Sequence, residues 1–173
     1  MTQTIQVEST FSAEVIARRI AEIGAQIRAD AGWSEVFLLG ILKGASFVLA
    51  DLMRAIPGDV GYGYIDVVRD IADTETATAI EIDFVSYTNI QGRNVCLIKD
   101  VVSTGVIENY LLTQLRQHQP AGLKLMALLD RPNLRTVELA TDYSIFTVED
   151  GSFVGYGLEH EGRLGNLPFI GKI

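Results

Sequence analysis

Asn94-Val95-Cys96-Leu97-Ile98-Lys99-Asp100-Val101-Val102-Ser103-Thr104-Gly105 is an apolar run that passes through a short polar loop into a segment with helical periodicity. Val95 to Ile98 alternate too little for a half-exposed strand and read as a buried parallel one. Ile107 to Leu115 then carries apolar residues at helical spacing. Ser103-Thr104-Gly105 therefore falls at a helix start, where backbone N–H groups have no intrahelical partner. Such amides, together with the positive end of the helix dipole, attract a phosphate without a charged side chain. A Ser or Thr helix cap gives the same local pattern in any α/β protein, so the rest of the chain decides between the two readings.

Outward from this stretch, strand, turn and helix repeat. Ser12 with Glu14 opens a helix in which Val15, Ile16, Ile20, Ile23 and Ile27 recur on one face, ended by Gly32. Val36 to Leu42 reads as an apolar strand, followed by Lys43-Gly44 and a helix from about Ser46 to Ile56 that Pro57-Gly58 closes. Tyr62 to Val68 and Ile80 to Val85 read as strands, with a polar segment from Asp70 to Thr78 between them. The helix after Gly105 ends before Pro120. Leu123 to Leu129 reads as another buried strand, and Tyr143 to Val148 and Phe153 to Tyr156 as the last short ones. This alternation predicts an α/β fold with a mostly parallel central sheet flanked by helices. Ligands bind beyond the carboxyl ends of such strands, where Lys43, Asp100, Ser103 and Arg131 all fall.

The 173 residues, 48% hydrophobic and 21% charged, suit a single domain with its own core. A net charge of −8 argues against nucleic acid or an anionic membrane as partner. The single cysteine, Cys96, lies in the buried strand, and the two histidines, His118 and His160, are scattered, which leaves no metal-ligand spacing. No secretion signal is visible near Met1, so a cytoplasmic location is expected.

The loop of the opening stretch resembles the 5-phosphoribosyl diphosphate (PRPP) loop of the type I phosphoribosyltransferases: an apolar strand, an acidic pair, two apolar residues, then Asp-Thr/Ser-Gly-x-Thr. Three further stretches, in order, resemble the hypoxanthine-guanine branch. They are Gly40-Ile41-Leu42-Lys43-Gly44-Ala45, Ala127-Leu128-Leu129-Asp130-Arg131-Pro132, and Phe153-Val154-Gly155-Tyr156-Gly157-Leu158-Glu159 running on to Asn166-Leu167-Pro168-Phe169-Ile170-Gly171. The resemblance implies the type I phosphoribosyltransferase fold, with a core of about residues 34–147 and a small hood from about 1–11 and 148–173. It implies purine salvage: transfer of 5-phosphoribosyl from PRPP to a 6-oxopurine, with Mg²⁺ as cofactor and pyrophosphate as co-product. The ligands would be a purine base or mononucleotide and PRPP, and the assembly a homodimer or homotetramer.

Residue by residue, the resemblance assigns pyrophosphate to the amides of Leu42, Lys43 and Gly44, and the 5′-phosphate to Ser103, Thr104, Gly105, Val106 and Ile107. It assigns the purine to Arg131, Phe153, Val154 and Glu159, with Phe153 or Ser152 in the stacking position. Asp100 and Glu159 are the metal-facing carboxylates, Asp100 also gripping the ribose. Several positions depart from the family's pattern. The acidic pair reads Lys99-Asp100, and a Lys has only donors and repels a metal ion. The loop's acid/base Asp is Ser103, whose hydroxyl cannot take a proton at neutral pH; losing such a group costs ~10²–10⁴ in rate. The closing Thr is Ile107, and the Arg that contacts pyrophosphate falls on Gly165, near Arg163. The cover loop, Asp70 to Thr78, lacks the usual Ser-Tyr. Two readings follow: a hypoxanthine-guanine phosphoribosyltransferase homologue with weakened catalysis, or a non-catalytic relative that binds purine nucleotide or PRPP as a sensor or regulator.

Overall fold

A computed structural model describes residues 5–30, 35–69, 80–83, 89–149 and 151–173. In chain order its elements are β1 (Glu8–Phe11), α1 (Ala13–Ala29), β2 (Val36–Ile41), α2 (Ser46–Ala55), β3 (Val60–Arg69), β4 (Ile80–Asp83), β5 (Asn94–Val102), α3 (Val106–Gln117), β6 (Gly122–Asp130), β7 (Tyr143–Thr147), β8 (Phe153–Val154) and β9 (Ile170–Lys172), with a 3₁₀ turn at Pro132–Leu134. The main sheet runs β4-β3-β2-β5-β6-β7. Its strands from β3 to β7 are mutually parallel, and β4 is antiparallel to β3. The sequence expectation of an α/β fold built on a largely parallel, helix-flanked sheet therefore holds.

Strand alternation divides the core into two layers. Cys96 and Ile98 of β5 face α1 and α2, where they meet Ile16, Ile20, Ile23, Ile27, Val48, Leu49 and Leu52. Val95 and Leu97 face α3, where Leu111, Leu112 and Leu115 form the helix's apolar stripe. Every residue of β2 is buried, as befits a strand covered on both faces. Continued one step, the same alternation sends Lys99 toward α3 and Asp100 toward the turn after β2.

A second sheet, β1-β9-β8, is antiparallel and joins the two ends of the chain: Glu8 pairs with Lys172, and Lys172 with Phe153. It is keyed to the core by Phe11, stacked on Phe146 at 3.8 Å, and by Tyr156, whose hydroxyl donates to Asp51 of α2.

Two element ends differ appreciably from the sequence reading. α1 stops at Ala29, because Asp30 leaves the helix in an extended conformation, where its carboxylate meets Lys124 and accepts from the Tyr143 hydroxyl. Gly32, the expected stop, lies outside the described residues. The last strand ends at Val154 rather than Tyr156, since Gly155 (φ 94°), Tyr156 (φ 52°) and Gly157 (φ 93°) turn the chain sharply. A Cβ on Gly155 would stand 1.9 Å from the Phe169 carbonyl oxygen, so no larger residue fits. β4 is described only as far as Asp83; Phe84, Val85 and the expected cover loop from Asp70 to Thr78 are outside the described residues.

Candidate active site

β5 ends at Val102, and Gly105, at φ 80°, turns the chain into α3. A Cβ there would lie 3.0 Å from Leu139 and 3.2 Å from Arg135, so the left-handed glycine also permits close packing. The loop's carbonyls are held from behind. Arg135 Nη1 donates to Val102 O at 2.9 Å and Ser103 O at 2.5 Å, its Nε donates to Leu139 O at 3.2 Å, and Thr136 N donates to Thr104 O at 3.0 Å. Arg135 is itself fixed by an ion pair with the buried Asp130, whose other oxygen accepts from Thr141 Oγ1 at 2.8 Å. Among the described residues the N–H groups of Thr104, Gly105 and Ile107 have no backbone acceptor, and Val106 N has only a long 3.5 Å contact with Thr104 Oγ1. The result is a nest of amides at a helix start, a concavity suited to an anion.

The second turn follows β2. The Leu42–Lys43 peptide is cis, Leu42 N donates to Ile65 O at 2.9 Å, and Ser46 N donates to Lys43 O at 3.1 Å. No backbone acceptor among the described residues takes the N–H of Lys43 or Gly44. A Cβ on Gly44 would stand 2.0 Å from Asp100 Oδ2, and one on Gly157 would stand 2.9 Å from Gly44 O. Asp100 thus packs on Gly44 and Gly157 on the Gly44 carbonyl, which brings together the end of β5, the turn after β2 and the turn after β8. Lys43 closes the row from outside, with Nζ 2.8 Å from Glu159 Oε2.

Lys99 Nζ lies 2.5 Å from Asp100 Oδ1, which also accepts from Val101 N at 2.8 Å. Both carboxylates expected to face Mg²⁺ are therefore engaged by ammonium groups, Asp100 by Lys99 and Glu159 by Lys43. Among the described residues no group of three or more His, Cys, Asp or Glu is placed to hold a metal ion. The donors present do not fit a protein-held Mg²⁺, because each candidate ligand already has a cation at hydrogen-bond distance.

Glu108 escaped the sequence reading. It stands at the head of the α3 stripe that continues with Leu111, Leu112 and Leu115, and it is 4% exposed. Burial pushes its pKa up from 4.5, while the charges of Lys99 and Arg135 pull it back and Asp100 adds to the rise. The folded protein then binds this proton more tightly than the unfolded chain, so stability falls as pH rises from the ordinary carboxylate range through the raised value. Glu108→Gln is expected to unfold at a higher temperature than the unmodified chain at neutral pH. The gap should close as pH falls below 4.5, which a series of thermal melts will check.

On the purine side, Arg131 donates to Gly151 O, and its guanidinium carbon lies 5.5 Å from the Phe153 ring centroid. This puts Phe153, rather than the exposed Ser152, beside Arg131. Val154 is fully buried, so its side chain cannot line a pocket and only its backbone can face a ligand. Gly165 packs on Glu159, whose Cγ would be 2.8 Å from an added Cβ, while Arg163 is exposed and its backbone pairs with His160. Arg135 was also missed, since nothing in Pro132-Asn133-Leu134-Arg135 marks it as buried. Glu108 was findable: an acid at the first position of an otherwise apolar stripe is a signal.

The phosphoribosyl transferase domain model matches residues 7–161. A hypoxanthine-guanine phosphoribosyltransferase of Bacillus subtilis is 31% identical over 94% of this chain and 91% of its own. The crystal structure of a hypoxanthine-guanine phosphoribosyltransferase from Bacillus anthracis, with a HEPES molecule in its active site, covers 98% of this chain and 99% of its own at 31% identity and a TM-score of 0.89. A hypoxanthine phosphoribosyl transferase of Trypanosoma cruzi, solved to study how its C-terminal region affects oligomeric state and activity, is 26% identical with a TM-score of 0.88 and covers 99% of this chain and 94% of its own. With the fold, the order of motifs and these relatives in agreement, the chain belongs to the phosphoribosyl transferase domain family, in its hypoxanthine-guanine phosphoribosyltransferase branch.

Proposed function

We propose that this chain transfers the 5-phosphoribosyl group of PRPP to a 6-oxopurine, with turnover below that of its relatives. The observation that carries the reading is the packing of Asp100 on Gly44, which brings two amide-bearing turns to one cleft. The amides of Ser103 to Ile107 take the 5′-phosphate, and those of Lys43 and Gly44 the pyrophosphate; the N–H of Leu42, expected to join them, is committed to Ile65 O. Arg131 donates to the 6-oxo group, Phe153 stacks on the ring, and Glu159 and the Val154 backbone border it. In the reaction purine N9 bonds to C1′ as the bond from C1′ to the pyrophosphate oxygen breaks, and the electron pair leaves with pyrophosphate. The chain's part is to hold both partners in line and to stabilise the charge growing on the leaving group. Ser103 cannot accept the proton that the purine sheds, so it passes to water. Asp100 remains to orient the ribose.

Nothing in the comparisons favours the non-catalytic alternative. The reading extends to a homodimer or homotetramer in the cytoplasm; no helix among the described residues is long and apolar enough to cross a membrane. Steady-state synthesis of IMP, GMP and XMP, run beside an ordinary family member, is the test, with a rate at least ~10²-fold lower expected. A rate within tenfold of the comparison enzyme would sink the claim of weakened catalysis. Failure of GMP and PRPP to bind would sink the reading of the cleft itself.

A further inference from the structure

Given that reading of the cleft, we infer that it takes its phosphorylated ligand as the free anion, with Lys99 supplying the charge a divalent cation would bring and Glu108 holding Lys99 in place. The alternation of β5 gives the first support. Val95 and Leu97 lie in the layer under α3, so Lys99 continues on that side, beneath the helix start that carries the amide nest. Its ammonium then reaches Asp100 Oδ1 at 2.5 Å, on the carboxylate whose other oxygen packs against the Gly44 turn. An ammonium has three donors, so with Asp100 on one and Glu108 as counter-charge it still keeps a donor for an incoming phosphate oxygen.

Glu108 gives the second support. A leucine at this position would extend the stripe of Leu111, Leu112 and Leu115, whereas an acid costs desolvation that a hydrogen bond from its own backbone N–H and the nearby cations only partly offset. Its pKa is raised by burial, so the residue lowers stability where it stands. The cations that face it are Lys99 and Arg135, and Arg135 is already committed to Asp130 and to the loop carbonyls. Glu108, buried at the head of α3 in the layer that Lys99 enters, is thus a counter-charge for Lys99 and a positioning residue for it. Divalent metal has no place in this scheme, since Asp100 and Glu159 each carry a lysine at hydrogen-bond distance.

Isothermal titration of inorganic pyrophosphate and of GMP into the full chain, once with excess Mg²⁺ and once with EDTA, tests this without any turnover. The unmodified chain is expected to bind equally well in both, within about threefold. Lys99→Ala should weaken binding in EDTA by about tenfold or more, and Lys99→Arg should recover most of it. Glu108→Leu should melt higher yet bind several-fold more weakly, a divergence that a merely structural residue would not produce. Binding that needs Mg²⁺, or a folded Lys99→Ala that binds as tightly as the unmodified chain, overturns the inference while leaving the reading of the cleft intact. A Glu108→Leu chain with unchanged affinity overturns the role of Glu108. Absence of binding in both buffers overturns the reading and the inference together.

Discussion

The triple variant Lys99→Glu, Ser103→Asp, Glu108→Leu is expected to make IMP and GMP from PRPP at least ~10²-fold faster than the unmodified chain. Ser103→Asp restores a group able to take the purine's proton, and Lys99→Glu restores a second acceptor for the ribose. These two changes alone are not expected to suffice. Glu108 is buried on the same side as residue 99, so a glutamate there would stand with Asp100 and Glu108 as three carboxylates, and one would keep its proton. Glu108→Leu removes the third acid and completes the helix stripe. The triple variant should also acquire dependence on Mg²⁺, because Asp100 would lose its lysine. Steady-state rates of the unmodified, double and triple proteins, each checked by thermal unfolding and GMP titration, decide the matter. A folded, GMP-binding triple variant with no gain in rate would show that these groups do not limit turnover.

Arg135→Met is expected to lower stability by about 3–5 kcal/mol, the usual cost of removing one partner from a buried ion pair. Two losses combine. Among the described residues Asp130, 7% exposed, keeps Thr141 as its side-chain donor, the Ser103 carbonyl loses its donor, and that of Val102 is left with the N–H of Arg131. The Ser103 carbonyl faces Arg135 from behind the loop, so its release lets that peptide plane turn and loosens the amide nest. Pairing the change with Asp130→Asn should return part of the stability, since no unpaired carboxylate is then buried, but not the phosphate affinity. Urea unfolding and GMP titration of the single and double variants separate these effects. A single variant within ~1 kcal/mol of the unmodified chain would mean that water takes over the guanidinium's role.

The main sheet was legible because its strands are continuous apolar runs. β2, β5 and β6 are buried on both faces, and only a parallel, helix-covered strand reads that way. The phosphate loop was legible because Gly105 sits where strand passes to helix. The framework behind the loop was not. Arg135 looks like any cation in a turn until the fold carries it beneath Val102 and Ser103, and no local pattern encodes that contact. Lys99 was read as a departure from the acidic pair, but its partner Glu108 lies across a layer boundary, and spacing along the chain says nothing about charge across it. The Lys43 and Glu159 pair spans most of the chain and is equally silent in sequence. β1 and β9 are short elements with weak alternation, and they become strands because each finds the other.

That last pairing also sets the order in which the molecule becomes competent. Glu8 lies opposite Lys172, so the small sheet closes a loop that contains the whole parallel sheet, and its central strand, β9, is synthesised after every strand of that sheet. The parallel sheet, by contrast, needs nothing beyond β7, and apart from the β2–β5 pairing it joins strands that are consecutive along the chain. During translation the core can therefore fold with its phosphate loop in place while Gly157 and Glu159 have no support from β9. The contact of Gly157 on Gly44 and the ion pair of Glu159 with Lys43 come after Ile170–Lys172 emerges. A nascent chain would thus hold a half-made cleft, and the purine side of it would arrive as the final step of folding.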